Sequence, residues 1–375
     1  MTSLLLAALL SGAATAGVVF DDANASGRRD PGEGGLAGVV VTDGRSLTVT
    51  GADGAYRLDA ATGLHVFVVT PGDRRAVGGW YQPRRATQDF ALAQSQVGDE
   101  WRFAHLSDTH IQAGNAWRTR LAFSLVRQHG AELALVSGDL IKDALRVDEA
   151  TARGYFALYA QQIREAGLTV WSAPGNHDVF GIERHKSLVP ETHPAYGKAM
   201  FEQMLGPRYH AFNRGRVHFI VLDTIGIGDI NYYGFVDALQ LDWIRQDLAH
   251  VAPGTPIVTL CHIPLRSGEP ATEYADGSLL AVSGRTSFRH VVRNHKALSE
   301  ILRPHNWTLA LQGHMHKGER LRQWDGAGAT RYHTAPAVDR QGWAPWPSGM
   351  FVYTVRGAAI DDGELVIIDE AGDGK

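Results

Sequence analysis

Pro174-Gly175-Asn176-His177-Asp178 follows the strand-like run Leu168 to Ser172, and its reading governs the rest of the chain. Pro-Gly enforces a tight turn at the strand's end. Behind it stand an amide oxygen able to bind a metal, an imidazole able to move a proton, and a carboxylate able to orient that imidazole. The same residues also make an ordinary polar turn, so their surroundings must decide. Outward from this point strands and helices alternate. Upstream come strand-like Arg102 to Leu106, a helix over 116–129, strand-like Glu132 to Ser137 and a helix over 148–166. Downstream come strand-like Val217 to Leu222, a helix over 237–250, strand-like Pro256 to Cys261, a helix over 290–302 and strand-like Thr308 to Gln312. Alternation of this kind predicts an α/β layered domain. Arg331 to Thr334, Met350 to Val355 and Glu364 to Ile368 are again strand-like and should complete a sheet.

The chain has 375 residues, enough for two domains. Forty acidic against 36 basic residues leave a formal charge of -4, so the electrostatic footprint of a nucleic-acid binder is missing. One cysteine, Cys261, excludes an internal disulfide framework and any multi-cysteine metal site. A metal here would use His, Asp, Glu and Asn, and 17 histidines are available.

Residues 2–20 carry no charge and include the apolar run Leu4 to Leu10, then small residues reaching Ala14-Thr15-Ala16. This is read as a signal peptide over 1–16, with a retained N-terminal anchor or a misassigned start methionine as the alternatives. The run is short against the roughly 20 residues of a membrane span, so no stable span is expected and a secreted or periplasmic location is. Short strand-like runs at Gly38 to Thr42, Ser46 to Thr50, Ala55 to Leu58 and His65 to Thr70, separated by Asp-Gly turns, predict a small β-sandwich over 17–72. A polar linker is expected over 73–97, the α/β domain over 98–358, and a last strand and tail over 359–375.

Five stretches carry potential ligands directly after predicted strands, where α/β sheets gather their ligands. Ser107-Asp108-Thr109-His110 places Asp108 and His110 two apart, on one side of an extended chain. Gly138-Asp139 follows Leu133 to Ser137, and alone it also fits a helix cap. Asn176 and His177 stand in the turn quoted above. His262 lies at a strand rim fixed by Pro264, and Gly313-His314-Met315-His316 again sets two imidazoles at i and i+2.

Taken in order, D-x-H, G-D, G-N-H-D, H and G-H-x-H resemble the calcineurin-like metallophosphoesterases over about Trp101 to Val355, as do Tyr209-His210-Ala211-Phe212 and Val217 to Asp223. The resemblance implies a four-layer α-β-β-α sandwich holding two divalent metals. Asp108, His110 and His316 would bind the first, Asn176, His262 and His314 the second, and Asp139 would bridge them. A hydroxide shared by two cations about 3.5 to 4 Å apart would attack phosphorus in line. His177 would protonate the leaving alkoxide, an effect of about 10²- to 10⁴-fold, with Asp178 as its partner.

Departures narrow the class. Lys142 stands where purple acid phosphatases carry a tyrosine, three residues after the bridging aspartate. Lys142-Asp143 and Asp178 depart from the protein Ser/Thr phosphatase motifs, and little chain remains after Val355 for a nucleotidase substrate domain. The expected partner is a small-molecule phosphate ester, either a monoester or a diester. The donor set suits Mn, Fe, Zn or Co. Lys142, Arg266, Arg340, Trp343 and Trp346 are candidate substrate contacts, although they also fit solvated charges and packing aromatics. Asp22 to Glu33 matches a calcium loop except at Ser26, with Asp22, Asn24, Ser26, Asp30 and Glu33 as candidate ligands; a metal-free Gly/Asp turn is the alternative. With the following Gly34 to Val41 it resembles the B-type repeats of bacterial surface proteins, as well as the N-terminal domain of some calcineurin-like phosphoesterases. A rival reading makes the chain a cell-surface binding protein on a non-catalytic phosphoesterase scaffold. The competent residues at every ligand position speak against it.

Overall fold

The computed structural model describes residues 14–59, 61–268, 281–282, 285–286, 288–324, 328–339 and 346–368. By its contacts the chain divides into two units: one comprises residues up to Gly98 with Tyr209–Ile220 and Asp237–Thr255, the other Asp99–Arg208, Val221–Val236 and the chain from Pro256 onward.

The first unit contains β1 (Thr15–Asp21), β2 (Val40–Thr42), β3 (Leu47–Val49), β4 (Ala55–Leu58), β5 (His65–Val69), β6 (Arg74–Val77), β7 (Tyr81–Pro83) and β8 (Phe90–Gln94). They form two four-stranded sheets, β4-β1-β8-β6 and β3-β2-β5-β7. Val19, Val41, Leu58, Val66, Phe90 and Leu92 meet in their core. This corrects the expected linker over 73–97. The stretch supplies β6, β7 and β8, whose short alternating runs are interrupted by Gly and Pro and so look polar overall. Residues 1–13 of the expected signal peptide lie outside the described residues, whereas Thr15 and Ala16 are paired in β1 with Leu58 and Arg57. The unit also takes β12 (His210–Arg214), β13 (Val217–Val221) as far as Ile220, and the helix Ala238–Leu248, where Trp243 Nε1 donates to Thr42 Oγ1 at 3.2 Å. Tyr209 donates its hydroxyl to the Gly44 carbonyl at 2.6 Å.

The second unit is layered α/β, as expected. β9 (Glu100–Leu106), β10 (Leu133–Ser137) and β11 (Thr169–Ala173) run parallel, and the sheet continues antiparallel through β22 (Gly349–Arg356), to which β23 (Ala359–Ile360) and β24 (Glu364–Ile367) pair. The helices α1 (Ala116–Gln128) and α2 (Glu149–Ala166) bury Phe123, Val126, Phe156 and Tyr159 in the core with Ala104, Leu106, Ala134 and Val136 of these strands. Asp148 caps α2 by accepting from the Thr151 amide at 2.9 Å, and Gly167 ends it in the left-handed region. In the second sheet β16 (Ile257–Leu260), β19 (Trp307–Gln312) and β21 (Ala329–Thr334) are parallel, with β20 (Glu319–Trp324) antiparallel to β21. Among the described residues no helix is long and apolar enough to cross a membrane.

Phe90 is 1% exposed in the sandwich core. Phe90→Ala should therefore cost about 3 to 5 kcal/mol in urea unfolding of the full chain. A residue of an exposed linker would change stability by less than about 0.5 kcal/mol.

Candidate metal centre

The parallel strands β9, β10, β11, β16 and β19 all release their chains into short turns that carry the candidate ligands. The turns themselves are tight. Gly138 sits at φ +80°, where a Cβ would lie 2.6 Å from that of His262, and a Cβ on Gly175 would lie 2.0 Å from the Asp139 nitrogen. Only glycine lets these loops approach so closely.

Asp108, His110, Asp139 and His316 bring one ligand atom each within 4.8 Å of one another, and Asp139, His262 and His314 form a second such group. Asp139 belongs to both. His110 Nε2 lies 3.7 Å from both Asp108 Oδ1 and Asp139 Oδ2, and His316 Nε2 lies 3.0 Å from Asp108 Oδ1. In the second group His262 Nε2 faces Asp139 Oδ1 at 3.2 Å, Asn176 Oδ1 at 3.1 Å and His314 Nδ1 at 3.2 Å. Asp108, His110, Asp139, Asn176 and His262 are all at most 2% exposed.

The donors fit divalent metals. His262 Nδ1 lies 2.7 Å from the Ser137 carbonyl, which can only accept, so Nδ1 carries the proton and Nε2 is turned to the centre. An outer hydrogen bond of this kind is the usual support of a metal-ligating imidazole. His110 Nε2 and His316 Nε2 face each other at 3.4 Å, and a neutral pair can share at most one proton. A cation satisfies such opposed lone pairs better than a hydrogen bond does.

The protonation pattern follows from the packing. Burial opposes ionisation of Asp139, but the imidazoles of His262, His177 and His110 outweigh it and hold the carboxyl far below its ordinary range. Burial likewise opposes a proton on His262, and the Asp139 carboxylate overrides it, raising His262 to about 9. His314 is held well below its ordinary value by burial and by the neighbouring His262 and His290. Burial also lowers His177, against the pull of Asp139.

One expectation is corrected. Asp178 does not orient His177, whose Nδ1 lies 2.9 Å from the Lys142 carbonyl. The fully buried Asp178 carboxylate instead accepts from the backbone N–H groups of Leu140 (3.0 Å), Ile141 (3.1 Å) and Gly175 (2.7 Å). The 3₁₀ turn Asn176–Asp178 sends consecutive side chains in different directions, so the carboxylate points into the protein. Burial, then the Asp139 charge, pushes its carboxyl up to about 7 against those donors. The candidate calcium loop Asp22–Glu33 is held together by hydrogen bonds among its own residues. Asp22 accepts from the Ser26 and Gly27 amides and Glu33 from those of Ala23 and Asp30, while Asn24 turns its amide nitrogen to Asp30 and Ser26 donates to the Arg28 carbonyl.

Of the candidate substrate contacts, Lys142 is half-buried and shares its carbonyl with His177, and Arg266 is anchored through its backbone to Gln312 at the end of β19. Trp346 is 49% exposed. Arg340 and Trp343 lie outside the described residues. Sequence reasoning missed Tyr232, Arg289 and His290, which surround His314: the Tyr232 ring lies 6.1 Å away edge-on, the His290 ring 5.3 Å away, and the Arg289 guanidinium carbon sits 3.9 Å above the Tyr232 ring. None stands beside a predicted strand exit, so no spacing marked them.

Layered sheets with a buried, doubly grouped Asp/His cluster at the strand exits define a metal-dependent hydrolase. The model of the family described as calcineurin-like phosphoesterase matches residues 102–318, and a second model, the N terminal of calcineurin-like phosphoesterase, matches 23–89. The chain belongs to the calcineurin-like phosphoesterase family and is a metal-dependent phosphoric ester hydrolase. Among solved structures it is similar to a dimetal phosphatase from Danio rerio (TM-score 0.46, 15% identity, 72% of this chain and 99% of that one). It is also similar to a purple acid phosphatase from seeds of yellow lupin, Lupinus luteus (TM-score 0.46, 14% identity, 88% of this chain and 68% of that one). No curated protein sequence matches it.

Since a proton must leave His262 before an ion can occupy Nε2, metal affinity should depend on pH. With His262 near 9, apparent Mn²⁺ affinity should rise about tenfold from pH 7 to pH 8 and flatten above about pH 9. Calorimetry in two buffers of different ionisation enthalpy measures the released proton; a pH-independent affinity would contradict the arrangement.

Proposed function

We propose that the protein is an exported phosphoesterase with a dinuclear centre. Asp108, His110 and His316 would hold one ion, Asn176, His262 and His314 the other, and Asp139 would serve both. The observation that carries this reading is the membership of Asp139 in both ligand groups. When bound, two divalent ions supply Lewis acidity toward the phosphate ester and toward water. The remaining work falls to the chain. Asp139 Oδ1 accepts from the His177 backbone amide at 2.8 Å, which ties the shared carboxylate to the proton-transferring residue.

His177 is the general acid. The Lys142 carbonyl requires a proton on Nδ1 and leaves Nε2, 4.0 Å from Asp139 Oδ2, to face the site. An imidazolium there gives the Nε2 proton to the departing alkoxide and reverts to the tautomer that the carbonyl already favours. Burial lowers its pKa and so makes the imidazolium the stronger donor. Export rests on the apolar run Leu4 to Leu10 and the small residues that follow.

Hydrolysis of 4-nitrophenyl phosphate and methyl 4-nitrophenyl phosphate with Mn²⁺, with and without chelator, tests the activity. Chelator should abolish turnover. His177→Ala should lower kcat by about 10²- to 10⁴-fold while the metal content, read by elemental analysis, stays at the wild-type level. An unchanged kcat would remove His177 from the mechanism.

A further inference from the structure

Arg289 and Tyr232 have no part in the metal groups or in proton transfer, yet they adjoin His314. Tyr232, on β15 (Asn231–Gly234), is 7% exposed and presents its ring edge-on to His314, the two planes at 88°. The Arg289 guanidinium carbon rests 3.9 Å from the centre of that ring, a cation–π contact that fixes the head group without neutralising it. The backbone around Arg289 is held from two sides. Gly234 donates to the Phe288 carbonyl at 2.7 Å and Arg293 to the Gly234 carbonyl at 2.9 Å, while Val292 donates to the carbonyl of Pro264, two residues beyond His262. Phe288 takes φ +60°, a conformation that persists in a bulky residue only where its surroundings impose it. The segment carrying Arg289 is therefore built onto the same frame as His262 and His314.

Among the described residues its charge meets no carboxylate. Two other half-buried arginines have carboxylate partners: Arg146 pairs with Asp143 and Glu183, and Arg208 with Asp223. Among the described residues Arg289 forms no ion pair. A preoriented guanidinium is a receptor for phosphate oxygens.

We propose that Arg289, seated on Tyr232, is a substrate-binding residue on the His314 side of the centre and selects phosphomonoesters over phosphodiesters. This rests on the phosphoesterase reading above and adds a substrate class to it. A monoester, with its second pKa near 6, is a dianion above neutral pH, whereas a diester carries a single charge. Coulomb attraction scales with that charge, so a third cationic group beside the centre favours the monoester.

The test compares wild type, Arg289→Met, Arg289→Lys and Tyr232→Leu as full-length, Mn²⁺-loaded proteins at pH 8. Substrates are 4-nitrophenyl phosphate and its methyl diester, which share a leaving group; binding of inorganic phosphate is measured separately by calorimetry. Arg289→Met should lower kcat/KM for the monoester about 10- to 100-fold and weaken phosphate binding about tenfold, with the diester changed less than about threefold. Arg289→Lys should recover part of the loss, and Tyr232→Leu should behave as a weaker Arg289→Met. Elemental analysis confirms that each variant keeps its metal. Equal losses on both esters, or unchanged monoester turnover and phosphate binding, would overturn the assignment. If wild type cleaves neither ester but Arg289→Met still weakens phosphate binding, the hydrolase reading fails and the anion site stands. If wild type binds no phosphate, the anion site fails as well.

Discussion

The backbone conformation at the strand exits is the constraint on which the site depends. Asp108 (φ 52°), His110 (φ 39°), Asp139 (φ 49°), His314 (φ 70°) and His316 (φ 52°) are all left-handed. For a residue with a side chain this region costs roughly 1 to 2 kcal/mol, and His and Asp tolerate it better than most. The turns offset the cost by bonding to one another. Asp108 donates its amide to the Gly138 carbonyl at 3.0 Å, His110 to that of Asp139 at 2.9 Å and Ile111 to that of Leu140 at 3.0 Å, while Gly313 donates to His262 at 3.1 Å. Each ligand loop is thus braced by another ligand loop, and strain in one is held by the hydrogen bonds of the next.

Asp178 belongs to this bracing. A buried carboxylate is costly unless backbone donors surround it, and here the donors come from two different turns. Leu140 and Ile141 lie just past Asp139, and Gly175 just before Asn176, so one side chain buckles the β10 and β11 exits together. A carboxylate following an imidazole in sequence invites reading as its catalytic partner. In a 3₁₀ turn adjacent residues diverge, and the partner that His177 finds is a main-chain carbonyl from a third place in the loop.

The division between legible and illegible features follows the same logic. Helix 116–128 and strands such as Ala55–Leu58 were readable because their apolar spacing is set by local geometry. The convergence of Asp108, His110, Asp139, Asn176, His262, His314 and His316 was readable because parallel strands deliver their exits to neighbouring turns. In the i and i+2 pairs left-handed turns, not extended chain, bring the side chains inward. Strands β6 to β8 were missed because short edge runs with Gly and Pro carry little period. Arg289 and Tyr232 were missed because their proximity to His314 arises from a hairpin meeting a distant loop, a tertiary event without local signature.

The electrostatics of the cluster explain how one scaffold can fold around so many buried ligands. The His262–Asp139 pair holds a proton because burial alone would leave the carboxylate uncompensated, and the imidazole beside it is the cheapest source of positive charge. His314 cannot carry a second proton beside His262, so it presents a lone pair. An incoming cation would therefore replace charge that is already balanced and displace a proton from His262. Beyond that exchange the main chain sets the tautomer of one imidazole, His177. The ligand motifs thus account for the buried cluster, while the proposed choice of ester rests on Arg289 and Tyr232, which those motifs do not include.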